Sequence, residues 1–413
     1  MNVLKAAGGI IDTFLNKLGT QNLLRAAVTS AVLLTGTVAC VYVFKLQKRR
    51  QLLRKMHARG QRAKRDIEDL RAQLKAIEIN TEIPQWSFQH LYEALQSGSV
   101  SATEVLRAYQ TKALEVNDKT NGITDIIKSA EVLAAKLDIL PADQRGPLHG
   151  IPISLKEACG LEGLDCTVGF GELVDIPLKA DSTLIKVLKS KGAVPFIRTN
   201  VPQAMRSLSC QNGIFGETLN PHKADRTCAG SSGGEGAMIG GQGSILGIGS
   251  DLGGSARIPA HFCGHASLKP TAGRLGNFGN FNVSTPNGQT LDVPSSATPT
   301  VLLKLFWQVE EIDIKDFAFR AITEHLFKLL TADKAQAYDK LLRYDNSCEP
   351  VKAFVAVCKK PDWLRPILAR VEEFMGNPLE AAMLKARQIR TIPDWYQQAL
   401  DLQVGTGYCQ TAK

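Results

Sequence analysis

Nineteen consecutive uncharged positions, residues 26–44 (AAVTSAVLLTGTVACVYVF), open the hydrophobic pattern of the chain. That length suffices for one membrane-spanning helix. Thr29, Ser30, Thr35 and Thr37 make the run only moderately apolar, so a buried helix of a soluble domain is the competing reading. Residues 45–65 then hold ten Lys/Arg and no acid, and residues 66–79 continue as a charged helix that reads as a solvated stalk. Beyond it the period changes. Ser101-Ala-Thr-Glu104 is a capping box for a helix running to about Val116. Residues 129–137 predict a second helix, and residues 151–155 a buried strand that delivers Lys156. Residues 183–191 read as helix and 193–198 as strand, an α/β alternation that places residues 199–205 at a strand end, where open α/β sheets put ligands. Residues 277–300 are loop-like. After them the pattern predicts helices at 300–309, 316–330, 332–344, 363–374 and 381–402, the last broken near Pro393.

One stretch fits neither period. Eleven of residues 228–254 are glycine, yet Met238, Ile239, Ile245, Leu246, Ile248 and Leu252 are interleaved with them, which a solvated linker would lack. Such glycine density marks backbone that turns tightly or approaches another group. Ser231, Ser232 and Ser255 stand out there, and no Lys or His lies between Cys228 and Ser255. A serine hydroxyl needs a base, and serine–lysine pairs are one solution. Lys156 is the best candidate upstream. Its ordinary pKa is roughly 10.4, so it acts near neutrality only where burial disfavours its charge.

Charge divides the chain. Residues 1–65 carry a net +12, leaving −3 for the rest of a chain whose total is +9. The basicity therefore belongs beside the apolar run, where it meets anionic headgroups and places the following domain on the cytoplasmic side. No basic groove with interleaved aromatics recurs downstream, so nucleic-acid binding is the weaker reading. Nine scattered cysteines without C-x-x-C fit a reduced compartment better than a disulfide framework.

Four stretches resemble the amidase-signature family: GSSGGEGAMIGGQGS (residues 230–244), SDLGGSARIPAHFCG (250–264), LKPTAGR (268–274) and HGIPISLKE (149–157). The second serine site follows the first by twenty-four residues, as in the family. TNVPQAM (residues 199–205) and the N-terminus make the chain most similar to its membrane-anchored fatty-acid amide hydrolases. The resemblance runs from about Trp86 to Leu275. It implies an α/β amidase-signature fold, a mixed twisted sheet covered by helices behind one transmembrane helix. It also implies Lys156 as base, Ser231 as proton relay on a cis peptide after Gly230, and Ser255 as nucleophile. The amides of Leu252, Gly253, Gly254 and Ser255 would form the oxyanion site. Ser232 would orient the relay, Arg257 would be structural, and Met205 would line the acyl-binding region. Arg206 departs from the pattern, since that position is often apolar or aromatic in the family. No cofactor or metal is implied.

The expected organisation is a non-cytoplasmic segment (1–25), a transmembrane helix (26–44), a basic juxtamembrane helix or stalk (45–79), a catalytic core (80–275) and a divergent helical region (276–413). From Gly276 the family's continuation is absent, so part of the sheet is expected to be missing. Trp363-Leu-Arg-Pro-Ile-Leu-Ala-Arg370 resembles the amphipathic membrane cap of these hydrolases, with an ordinary packing helix as the alternative. The leading reading is a serine hydrolase of fatty-acid amides on an intracellular membrane, the endoplasmic reticulum being the expected one, with lipid amide and bilayer as partners and a homodimer as one assembly. A catalytically weak or silent lipid-amide-binding protein is the alternative. A third reading is an amidase for small polar amides, against which the span argues. Gly230-Ser-Ser232-Gly-Gly234 also satisfies the nucleophile elbow G-x-S-x-G, but residues 221–227 before it are polar and turn-like rather than a strand. His261, Cys263 and His265 share a short loop without a fourth metal ligand.

Overall fold

The structure, a computed structural model, describes residues 19–270, 274–281, 298–303, 338, 341–345, 348–361 and 364–375. The chain divides into two units, Met1–Arg54 and Lys55–Lys413. Helix α1 (Thr20–Lys75) carries the uncharged run and the basic block continuously. One stretch of it is long and apolar enough to cross a membrane, and none of that stretch is buried. The hydroxyls of Thr29, Thr35 and Thr37 donate to the carbonyls of Arg25, Ala31 and Leu33, each at 2.8 Å. Their polarity is satisfied inside the helix, which lowers the cost of apolar surroundings.

The solvated stalk expected over residues 66–79 is not observed. Met56, Ala63, Ile67, Leu70 and Leu74 recur at helical spacing and are all buried. The charges between them masked this apolar stripe. Arg59 is buried with them. It donates from Nε to Asp165 at 3.1 Å and from Nη2 to Asp125, and its guanidinium lies 5.0 Å from the Phe215 ring centre. Arg198 holds the same two acids from the other side, with Nη2 donating to Asp125 at 2.8 Å and to the Asp165 carbonyl at 2.8 Å.

Helices α2 (Phe88–Ser97) and α3 (Ala102–Thr120) follow. The Ser101 hydroxyl caps α3 by accepting from the Glu104 amide at 3.1 Å, and the helix runs on past Val116 to a left-handed Asn121. The sheet comprises β1 (Ile123–Ile126), β2 (Pro152–Lys156), β3 (Val194–Thr199), β6 (Leu246–Asp251), β7 (Ala266–Leu268) and β8 (Thr298–Leu303). The order is β1-β3-β2-β6-β8-β7. Helices α4 (Ser129–Asp138) and α5 (Thr183–Ser190) lie in the connections. A separate ribbon pairs β4 (Gln211–Asn212) with β5 (Gly216–Glu217). β2 sits centrally, parallel to both β3 and β6, and is buried throughout. That double burial is why its sequence reads as a short apolar run instead of an alternation.

Residues 298–303 correct the expectation of a loop passing into a helix at Thr300. They form β8, antiparallel to β6 from Asp251↔Thr298 to Leu246↔Leu303, and antiparallel to β7. The exposed backbone groups along the outer side of β6 need partners, and this requirement outweighs local propensity. Among the described residues no strand comes from beyond Leu303. Helix α8 (Glu349–Cys358), with Pro350 in its first turn, was not expected, whereas α9 (Arg365–Phe374) falls within the expected 363–374. The helices expected at 316–330 and 381–402, the remainder of 300–309, and most of 332–344 lie outside the described residues. One apolar core runs from Ile67 through α3 and the central strands to Ile248. A second joins Val168, Phe170, Val201 and Ala204 to Tyr338, Val351, Phe354 and Cys358.

Candidate active site

β2 ends in Lys156, whose side chain is fully buried. Its Nζ donates to Ser231 Oγ at 2.8 Å and to Ser250 Oγ at 2.8 Å. Burial lowers its pKa to about 8, against the opposing pull of Cys159, Asp251, Cys210 and Glu235. The lysine is thus set near neutrality, the range in which a general base is useful. Ser231 is buried, and the peptide joining it to Gly230 is cis. Helix α6 (Gly233–Gly240) begins directly afterwards.

The second serine stands on a loop organised by Asp251, the last residue of β6 and fully buried. Asp251 Oδ1 accepts from the Gly254 amide at 2.7 Å and from Arg257 Nη2 at 2.9 Å. Its Oδ2 accepts from the amides of Ala256 at 3.1 Å and Arg257 at 3.2 Å, and from Arg257 Nε at 3.0 Å. Lys269 Nζ adds a bond at 3.5 Å. Helix α7 (Arg257–Cys263) starts from this arrangement. Gly254 takes φ +117, a conformation that side chains disfavour, and so lets the chain fold back over the carboxylate.

The expected residues meet only in part. Lys156 and Ser231 are in direct contact. Ser255 reaches them through backbone: its carbonyl accepts from the Ser232 amide at 2.8 Å. Among the described residues the Ser255 hydroxyl has no hydrogen-bond partner. Of the expected oxyanion donors, the Gly254 amide is committed to Asp251, which leaves Leu252, Gly253 and Ser255. Ser232 does not bond Ser231. Its hydroxyl donates to the Ser250 carbonyl at 3.3 Å and accepts from the Ser250 amide at 3.4 Å, fastening the start of α6 to the end of β6. Arg257 meets Asp251 through its amide, Nε and Nη2. Ser250 and Asp251 were missed as individual residues, although both stand in the quoted motif immediately before Leu252.

Met205 is half-buried in the turn Gln203–Met205, where Ala204 and Met205 take φ of 61° and 54°, and it packs on the second core. Arg206 beside it donates from Nε to Tyr338 Oη at 2.7 Å, with its guanidinium 5.8 Å from the Tyr338 ring centre and 5.3 Å from that of Phe354. An aromatic bracket from the C-terminal region therefore stabilises this cation. The short loop expected to hold His261, Cys263 and His265 is helical over the first two, which lie in α7, with His265 just beyond it; Cys263 is buried, and no group of three or more His, Cys, Asp or Glu is arranged for a metal among the described residues.

A family model described as Amidase matches residues 104–295. "Fatty acid amide hydrolase 1" of Caenorhabditis elegans is 40% identical over 270 residues, covering 63% of this chain and 47% of that protein. "Fatty-acid amide hydrolase 1" of Sus scrofa is 39% identical over 233 residues, covering 56% and 38%. The chain spans about half the length, or less, of the curated relatives it matches. A solved structure of "Fatty acid amide hydrolase" superposes with a TM-score of 0.62 at 20% identity, covering 89% of this chain and 74% of that one, a likeness of fold. By its motifs, its fold and these relatives, the chain is similar to the amidase-signature family, with the family model matching residues 104–295.

Proposed function

We propose that the chain is a membrane-anchored serine hydrolase that cleaves fatty-acid amides to a fatty acid and an amine through Lys156, Ser231 and Ser255. The observation that carries this reading is the fully buried Lys156, held at 2.8 Å from the Ser231 hydroxyl with its pKa lowered to about 8 by burial. Neutral Lys156 takes the Ser231 proton while Ser231 takes that of Ser255, and Ser255 Oγ bonds to the amide carbon. The oxyanion is received by the amides of Leu252, Gly253 and Ser255, donors of the kind that supply the largest electrostatic term in acyl transfer. The proton returns along the same path to the leaving amine as the C–N bond breaks, and water then releases the acid from Ser255.

The names of the relatives support a fatty-acid amide as substrate, and the uncharged stretch of α1 supports a single-pass anchor. The basic block after it supports a cytoplasmic catalytic domain on an intracellular membrane. Helix α9 exposes Ile367, Val371 and Phe374 along one face, which fits a second contact with the bilayer. The test is labelling of the detergent-solubilised full chain with a fluorophosphonate, which reacts only with an activated serine. Labelling is expected, and Ser255→Ala is expected to abolish it. Folded wild-type protein that takes no label would instead make the chain a lipid-amide-binding member of the family.

A further inference from the structure

A second buried ionisable group lies under Lys156, and the reaction above does not use it. Glu235, in the first turn of α6, is fully buried. Its carboxylate is seated by three neighbouring strands. Ser154 of β2 donates to Oε2 at 2.7 Å, and Thr199 of β3 donates to Oε1 at 2.6 Å. β6 contributes space, because a Cβ at Gly247 would stand 1.9 Å from Oε2. Ser154 precedes Lys156 by two residues on β2, Thr199 is the register partner of Lys156 on β3, and Gly247 is that of Ser154 on β6. All of these project from one face of the sheet, the face that carries Lys156. Two hydroxyl donors suit an ionised carboxylate, which only accepts.

The titratable groups facing the lysine are Cys159, Asp251, Cys210 and Glu235. Burial pushes the Cys159 thiol up to about 12, so it is neutral. The charge of Asp251 is matched by Arg257 and Lys269. Burial pushes the Glu235 carboxyl up to about 7, opposed by the donors Thr199 and Ser154 and by the charge of Lys156, so above that pH it faces the lysine as an anion. We propose that Glu235 is a positioning residue for Lys156: its carboxylate, seated by Ser154 and Thr199, sets the pH at which the lysine gives up its proton and becomes the base for Ser231. The inference rests on the reading of Lys156 as base.

The experiment is the pH dependence of the fluorophosphonate labelling rate of the full chain in detergent. Glu235→Gln removes the negative charge, so the lysine loses its proton more easily and the acid limb of the profile moves to lower pH by about one unit. Glu235→Asp restores the charge and returns the limb toward its original position. A merely structural role would lower the rate at every pH and leave the limb in place, and that result overturns the proposal. Where Glu235→Gln does not fold, Ser154→Ala carries the comparison. It deletes one donor, favours the neutral acid and moves the limb the same way, and an unmoved limb is again fatal. Wild-type protein that takes no label at any pH removes the base itself, and the inference with it.

Discussion

Asp251→Asn tests whether one carboxylate builds the platform for Ser255. The native side chain receives three backbone amides, those of Gly254, Ala256 and Arg257, on its two oxygens. Asparagine keeps one oxygen, so whichever way it turns, at least one amide loses its acceptor and faces an NH2 group. A hydrogen bond to a charged group contributes about 1.5–3 kcal/mol. The Arg257 side chain is 53% exposed, so its ion pair adds only about 0–1 kcal/mol after solvent screening. Together the substitution should cost about 3 kcal/mol of stability in urea unfolding. If the loop moves by about 1 Å, the labelling rate of Ser255 falls roughly a hundredfold. Arg257→Ala is the control and should cost less than about 1 kcal/mol. The same acid contributes a pH limit. Burial works to raise its pKa, but the hydrogen bonds from Arg257 and the amides of Gly254 and Arg257 outweigh it and hold the carboxyl well below the usual range. Because the folded value is depressed, its stabilisation is complete above the unfolded pKa, about 4, and is lost as the pH falls through the folded one. Asp251→Asn should flatten that acid slope. Stability within about 0.5 kcal/mol of wild type, with labelling unchanged, would refute the account of the loop.

Further outcomes follow from two buried charges, Lys156 and Arg59. The labelling rate should rise with pH through about 8 as Lys156 becomes neutral, and Lys156→Met should eliminate labelling. Because its folded value lies below the ordinary 10.5, the unfolded chain holds the proton more tightly across that interval. Stability should therefore climb with pH from about 8 upward, and the Met variant should lose this slope; a slope retained in the variant assigns it to another group. Arg59→Leu should destabilise the Lys55–Lys413 unit by about 3 kcal/mol in urea, since among the described residues Asp125 and Asp165 then keep Arg198 as their one cationic partner. A loss below about 1 kcal/mol would mean that Arg198 satisfies both acids alone.

The sequence by itself determined the elements whose signals are local: the uncharged run of residues 26–44, the Ser101 cap, the strands that end at Lys156 and Thr199, and the motifs carrying Ser231 and Ser255. Each depends on side chains a few positions apart, so order along the chain is enough. The tertiary structure decided the rest. The apolar stripe of Met56, Ala63, Ile67, Leu70 and Leu74 was visible in principle, but its burial depended on a surface made by other elements, and Arg59 looked like one more solvated charge. Residues 298–303 became a strand because β6 offered an open edge. Ser232 was drawn to Ser250, and Glu235 was seated beneath Lys156, because three strands in register bring Ser154, Thr199 and Gly247 to one place. Burial and partnership are properties of the packed sheet, and the pKa of a lysine or a carboxylate follows from them; no spacing within the chain encodes either.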